Sequence, residues 1–375
     1  MTLPSVREVW ARAGARGKLL WLVFLPAAFL YALAAQARNL FYSLGWLKAA
    51  RLPRPVVSVG NLTVGGTGKT PACLWLAEEL KSRGLRAGIL SRGYRREESR
   101  PLVLQPPGRN GSGPGDFADV AKAGDEPSMM ADLYGQVVGI GKHRDLAAAE
   151  LLRHTDVDVF ILDDGFQHRR VRRDVDVLLM GSEFSGWTLP AGPFREPRRN
   201  YKRADFMLLT GAPEKWRALI APPRAEAAFA ASLQPVSLLS LNSGRRKEFP
   251  LTTLYRSKIL TVTGIADPRG FYRMIHEWEG EIVETLEFPD HHDYSARDWQ
   301  QINRVGRLVD LIVTTEKDIL KLVRFPFAKD RLMALRVALR VENGAELIAA
   351  IVARIEQARS GAAEADALTA GKGNR

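Results

Sequence analysis

The stretch from Val56 to Pro71 constrains the fold more than any other part of the 375-residue chain. A β-branched run, Val56-Val57-Ser58-Val59, leads into Gly60-Asn61-Leu62-Thr63-Val64-Gly65-Gly66-Thr67-Gly68-Lys69-Thr70-Pro71. A buried strand, a glycine loop and the start of a helix in that order form the context of a phosphate-binding loop. Gly65, Gly66 and Gly68 let backbone N–H groups approach phosphate oxygens with no Cβ in the way, and the helix N-terminus favours negative charge. Lys69 is placed to reach the β and γ phosphates of a nucleotide and Thr70 to offer its hydroxyl to Mg²⁺. Pro71 falls in the first helical turn, where a missing N–H costs nothing. The strict pattern has glycine where Thr63 stands. The expected nucleotide-binding set is Thr63, Val64, Gly65, Gly66, Thr67, Gly68, Lys69 and Thr70.

Short apolar runs alternating with helical stretches surround this loop, which predicts an α/β fold with a doubly wound, mostly parallel sheet. Strands are expected at Val56–Val59, Ala87–Leu90, Val137–Ile140, Val159–Leu162, Val175–Met180 and Phe206–Thr210. A second, smaller α/β domain is expected at 257–358. Its strands are Ile259–Thr263, Glu281–Glu284, Leu311–Thr315 and Leu332–Val337, with helices near Pro268–Glu279 and Gly344–Ala358. The predicted division is 1–50 as an apolar, basic segment, 51–225 as the phosphate-loop domain, 226–256 as a Pro-containing connection, and 359–375 as a disordered tail rich in Ala, Gly and charge.

A second apolar strand, Val157 to Leu162, ends in Asp163-Asp164-Gly165-Phe166-Gln167-His168. Carboxylates at the C-terminal end of a parallel strand lie beside a phosphate loop and can hold Mg²⁺ directly or through water. Thr70, Asp163 and Asp164 are therefore the expected metal set. Adjacent acids on an extended strand point to opposite sides, so one is expected to ligate and the other to orient. Phosphoryl transfer also needs a group that receives the acceptor's proton, and cations near the developing charge. Ser91-Arg92-Gly93-Tyr94, Gly124-Asp125-Glu126-Pro127 and Asp290-His291-His292 can supply them.

Charge and hydropathy identify the partners. Lys and Arg number 54 against 42 Asp and Glu, a net charge of +12, which calls for an acidic partner. Eight basic residues before Val56 face the single acid Glu8, so that segment carries +7 of the excess. It contains Leu19–Ala35, an uncharged run that as a helix measures about 25 Å against about 30 Å for a bilayer core. Basic residues on both flanks and Trp10, Trp21, Tyr31, Tyr42 and Trp46 favour a helix lying in the interface over an anionic inner leaflet, with a single span as the second possibility. Export through a cleaved signal, suggested by Ala35-Gln36-Ala37, would separate the phosphate loop from its nucleotide. The expected location is thus the cytoplasmic face of the inner membrane. Cys73 is the sole cysteine, which excludes an intrachain disulfide and a cysteine-rich metal site. The aromatic residues do not form a nucleic-acid stacking motif, so no nucleic-acid partner is expected.

Taken together these segments resemble the tetraacyldisaccharide 4′-kinase family, the lipid A 4′-kinases of Gram-negative bacteria. The resemblance covers the apolar N-terminal helix, residues 59–71, Ser91–Tyr94, Gly124–Pro127, Asp163–His168 and Leu189-Pro190-Ala191-Gly192-Pro193-Phe194-Arg195-Glu196-Pro197. It continues through Phe288-Pro289-Asp290-His291 and Thr315-Glu316-Lys317-Asp318. It implies an acylated disaccharide 1-phosphate as substrate, ATP and Mg²⁺ as cofactors, and phosphorylation of the 4′-hydroxyl, with no protein partner known. It also implies that Asp125 and His291 cooperate at the acceptor, with Lys69 completing the catalytic set. Arg92, Gln167, His168, Arg195 and Glu196 occupy motif positions assigned to substrate binding. A competing reading is another ATP- or GTP-dependent synthetase, or a metallochaperone GTPase, on a related sheet, because Thr315–Asp318 looks superficially like a guanine-reading segment.

Overall fold

The computed structural model describes residues 6–93, 100–106, 120–183, 186–222, 224–242, 245–328 and 330–372. Tyr94 of the Ser91–Tyr94 segment lies outside them. The chain divides into two compact units, one of Met1–Arg86, Val157–Ser232 and Val341–Arg375, the other of Ala87–Asp156 and Leu233–Arg340.

In the first unit the phosphate-loop strand Val56–Asn61 is central, paired in parallel with Val159–Asp163 on one side and Val175–Met180 on the other. Val175–Met180 pairs onward with Phe206–Leu209, which pairs with Ala228–Ala230. Both faces of the central strands are buried, as expected where helices cover a parallel sheet. The register sets Val59 beside Asp163, so the loop after one strand and the carboxylates ending the other emerge from the same sheet end. Leu62, Phe166, Phe194, Met207 and Trp216 share one core cluster with Leu178 and Met180, which fixes the segments beyond that end.

In the second unit Glu281–Glu287, Lys258–Thr263, Leu311–Thr315 and Leu332–Val341 form parallel pairs in that order. Ala87–Ser91 pairs in parallel with Val137–Ile140, whose other neighbour Leu102–Leu104 is antiparallel. Ile259, Phe271, Ile275, Val313, Met333 and Leu335 lie in its core.

Three parts differ from the sequence-based expectation. The stretch 226–256 is not a plain connection: Ala228–Asn242 is a 15-residue strand whose end pairs antiparallel with Arg245–Phe249. Burial of Leu238, Leu239 and Leu241 outweighs Pro235 there. Helix Gly344–Lys372 runs through most of the expected tail, since its Ala-rich sequence has high helix propensity. Finally, 87–156 belongs with the second unit rather than with a contiguous 51–225 domain. Helix Asp125–Asp132 packs against helix Glu316–Leu322, and Tyr134 Oη donates to Glu316 Oε1 at 2.7 Å.

The apolar N-terminal run belongs to a 30-residue helix, Gly14–Ser43, longer than the run alone suggests and long and apolar enough to cross a membrane. One face is docked on the first unit. Ala28 is buried with its carbonyl accepting from Thr188 Oγ1 (2.8 Å), and Asn39 is buried against Glu196. Leu22, Val23, Phe29, Leu30, Leu33 and Leu40 stay exposed.

Candidate active site

The phosphate loop takes its shape from particular glycines. Gly65 and Gly68 adopt φ of 108° and 85°, where a Cβ would be strained, and Gly68 is the N-cap of helix Lys69–Ser82. Upstream, a Cβ on Gly60 would sit 2.6 Å from the Phe166 backbone nitrogen, so the strand and the carboxylate turn pack backbone to backbone. Asn61 Nδ2 donates to Thr67 Oγ1 at 2.9 Å, and Thr210 Oγ1 donates to the Thr67 carbonyl at 3.1 Å. From the other side, Val64 N–H donates to the Pro193 carbonyl (2.9 Å) and Arg195 N–H to the Leu62 carbonyl (2.7 Å). The loop is thereby braced by 193–195, and Thr63 is buried in a bridge to Phe194.

The two carboxylates differ because the strand ends at Asp163 and Asp164 already stands in the turn beyond it, not through alternation along an extended strand. Asp163 is buried, with Cys73 Sγ 3.8 Å from Oδ1, and Thr70 is buried at the start of the helix. Asp164 adopts a positive φ of 50° and turns toward cations: Lys69 Nζ lies 3.6 Å from Oδ1, and Arg195 Nη1 donates to both oxygens at 2.9 Å. Burial opposes ionisation of Asp164, but Lys69 and Arg195 outweigh it and hold the carboxyl below its ordinary range. Gln167 donates to the Asn61 carbonyl at 2.9 Å and lies 3.4 Å from Arg195, while His168 closes the turn by donating its N–H to the Gly165 carbonyl.

Glu196 has a different place from the one its motif position suggested. It is 0 % exposed, held by Asn39 (2.8 Å), Arg38 (3.1 Å), Asn200 (2.6 Å) and Arg203 (3.0 Å). No substrate reaches a side chain enclosed in that way. Glu196 ties the N-terminal helix to the body of its unit, while the neighbouring Arg195 holds Asp164.

The second unit brings together residues far apart in the chain. Asp125 opens helix Asp125–Asp132 after Gly124, whose φ is 92°. Its Oδ2 lies 3.0 Å from His291 Nδ1 and 2.8 Å from Lys321 Nζ. Asp125 and His291 both fall within one compact unit. Burial opposes the Asp125 charge, yet hydrogen bonds from His291 and Lys321 prevail and lower the carboxyl to about 2. An anion there makes Nδ1 the donor, leaving Nε2 as the basic nitrogen of the neutral ring. His291 Nε2 lies 3.8 Å from Asp290 Oδ2, and Asp290 in turn pairs with Lys317 at 3.3 Å. His291 sits at φ 61°, a strained position maintained by its N–H bond to the Gly264 carbonyl (3.2 Å).

The Thr315–Asp318 segment builds this site and does not read a base. Thr315 caps helix Glu316–Leu322, and Asp318, fully buried, accepts from Thr315 Oγ1 (2.6 Å) and Gly264 N–H (2.9 Å). Glu316 is enclosed as well, and burial raises its pKa despite bonds from Tyr134, Val337 N–H and Arg336. His292 accepts a structural role, 3.0 Å from Asp298 and stacked on Phe288. Arg92 is exposed just past strand Ala87–Ser91. Lys321 is not singled out by the sequence, and Lys317 enters there only as a member of the Thr315–Asp318 segment. The signal available for Lys321 was its place one helical turn after Asp318.

Comparisons with known proteins follow the same lines. A family model described as tetraacyldisaccharide-1-P 4′-kinase matches residues 20–356. The tetraacyldisaccharide 4′-kinase of Pelobacter propionicus is 37% identical over 309 residues, covering 80% of this chain and 83% of the relative. That of Anaeromyxobacter dehalogenans strain 2CP-C is 35% identical over 368 residues, covering 94% and 95%. Among solved structures, LpxK from Aquifex aeolicus in complex with ATP superposes with a TM-score of 0.72 at 31% identity, covering 90% of this chain and 99% of that one. Phosphate loop, carboxylate strand and Asp125–His291 pair thus stand within a match that spans most of the sequence, and the chain belongs to the tetraacyldisaccharide 4′-kinase family.

Proposed function

We infer that this protein is an ATP- and Mg²⁺-dependent kinase that transfers the γ-phosphate to the 4′-hydroxyl of tetraacyldisaccharide 1-phosphate in lipid A biosynthesis. Family membership supplies substrate and product. The observation that carries the chemistry is the preformed phosphate loop, with Lys69 at the N-terminus of its helix beside Asp164. An incoming phosphate offers Lys69 and Arg195 a stronger anionic partner than a carboxylate, and both cations then face the charge that develops on the transferring group.

Among the described residues no three His, Cys, Asp or Glu side chains cluster to hold a metal. Mg²⁺ at such sites is held by one or two carboxylates together with nucleotide phosphates, so no protein cage is needed. Thr70 and Asp163 have the hard oxygen donors that suit it. Asp164, already neutralised by two cations, suits the task of keeping Lys69 and Arg195 in place. When bound, the ion neutralises phosphate charge.

The acceptor hydroxyl is a weak nucleophile and needs a proton acceptor. His291 serves as that base through Nε2, with Asp125 holding the tautomer and stabilising the imidazolium that forms. The hydroxyl oxygen bonds to the γ-phosphorus, the bond to the β,γ-bridging oxygen breaks, and ADP departs.

The N-terminal helix places the enzyme on the cytoplasmic leaflet as an interfacial anchor. Contacts at Ala28 and Asn39 pin it along the body of its unit, while its exposed Leu and Phe residues suit acyl chains. A helix crossing the bilayer over that stretch would have to leave those contacts. The defining experiment incubates purified protein with ATP, Mg²⁺ and tetraacyldisaccharide 1-phosphate. Mass spectrometry should find a bisphosphorylated lipid, and its absence with folded, nucleotide-binding protein would refute the assignment.

A further inference from the structure

Lys321 is a buried lysine to which neither the phosphate loop nor the metal set assigns a task. Its side chain is 6% exposed, and its Nζ donates to Asp125 Oδ2 and to the His292 carbonyl, both at 2.8 Å. Asp318 Oδ1 is 3.8 Å away, and the Tyr294 ring centroid 5.9 Å. The oxygen that receives Lys321 is the same Oδ2 that faces His291 Nδ1 at 3.0 Å. A lysine is costly to bury and is retained charged only where anions hold it. Here two carboxylates do so, and one of them is the partner of the proposed base.

We propose that Lys321 is a positioning residue for phosphoryl transfer, its ammonium fixing the Asp125 oxygen that also faces His291 Nδ1. The proposal rests on the reading of Asp125 and His291 as the acceptor's base.

The elements around His291 carry several charged groups. From helix Asp125–Asp132 comes the Asp125 carboxylate, and from helix Glu316–Leu322 come Asp318, Lys317 and Lys321. From its own loop come Asp290, paired with Lys317, and His292, paired with Asp298 of helix Ala296–Gly306. Tyr294 stays neutral, because burial and Asp318 push its phenol well above the ordinary value. Without Lys321 the ring would face an Asp125 carboxylate with no lysine bound to it, and a neighbouring anion favours the protonated form of an imidazole. With Lys321 in place the carboxylate keeps its orienting role while its charge is partly offset. Donation to the His292 carbonyl adds a mechanical part, since it anchors the residue next to the strained His291.

The test compares wild type with Lys321→Gln, which keeps a donor and removes the charge, and Lys321→Arg, which keeps the charge. The full-length protein is assayed with ATP, Mg²⁺ and the lipid acceptor, and the His291 ring is followed by NMR after histidine labelling. In K321Q the acid limb of kcat/KM should move up by about one pH unit, together with the His291 titration. Turnover at neutral pH should fall about tenfold, the KM for ATP should stay unchanged, and K321R should restore the limb. Asp125→Asn supplies the opposite sign and does not depend on K321Q folding: it leaves Lys321 facing the ring, so the His291 titration should fall below the wild-type value. A loss of turnover in K321Q with the limb and the His291 titration unmoved would overturn the proposal, as would a D125N ring that titrates like wild type. Failure of the base reading is separate, and shows as near-normal turnover in His291→Ala whatever the NMR titrations do.

Discussion

Asp164 and Asp125 are both carboxylates held ionised by a lysine and one further partner, yet their surroundings differ. Asp164 is partly open, with a side-chain exposure of 37%, and its partners Lys69 and Arg195 are cations that a phosphate can recruit. Asp125 is 12% exposed, and its lysine, at 6%, is bonded on a second side to a backbone carbonyl. The first pair is partly open, whereas the second is enclosed, and burial of the lysine separates the two cases. Under the proposed function the open pair delivers charge to phosphate and the enclosed pair orients His291.

The largest effect should come from the open pair. Lys69→Ala should reduce turnover by a factor on the order of 10³ while the circular dichroism spectrum and melting temperature stay near wild type, because this lysine serves phosphate charge more than the fold. Retained activity would dissolve the contrast with Lys321.

Next in size is Glu196, whose four partners include two arginines. Glu196→Ala leaves buried donors without their acceptor and should destabilise the first unit by about 3 kcal/mol, read as a lower denaturant midpoint. A midpoint unchanged from wild type would mean that the N-terminal helix is not tied to its unit through this residue.

The enclosed pair also predicts a pH dependence. The Asp125 pKa is depressed from 3.8 to about 2, so its contribution to stability is present above about pH 4 and is lost as pH falls toward 2. It amounts to about 2 kcal/mol. Denaturation midpoints measured from pH 6 down to 2 should converge for wild type and Asp125→Asn. Parallel curves over that range would show that the pair does not hold the carboxyl down.

The smallest effect on the chemical step should come from the exposed helix face. Leu22→Ser with Leu30→Ser should weaken binding to anionic vesicles several-fold while ATP affinity stays constant. Vesicle flotation checks the first expectation and nucleotide titration the second. Unchanged flotation would remove the lipid-facing role of these side chains.

How far each part could be read in advance follows from how local its cause is. The phosphate loop was legible because strand, glycines, Lys69 and Thr70 are consecutive, and the strands Val137–Ile140, Val175–Met180 and Leu311–Thr315 were found with their limits because β-branched runs end abruptly. Strand Ala228–Asn242 was hidden by Ala-rich composition and Pro235, since its apolar side chains gain from tertiary pairing rather than from propensity. The Asp125–His291 contact entered through a family resemblance, while the partner Lys321, 196 positions from Asp125, had as its local mark only its place one helical turn after Asp318. Glu196 shows the converse limit: a motif position indicates that a residue matters without saying whether it touches substrate or holds a helix.

The most direct measurement is the acceptor-side mutant cycle: single-turnover rates and ATP affinity for wild type, Asp125→Ala, His291→Ala and the double variant. If the two residues act as one proton-accepting unit, each single loss should be about 10² or more, the double loss should match a single one, and ATP affinity should be kept throughout. Losses that multiply in the double variant, or a drop in ATP affinity large enough to explain them, would contradict it.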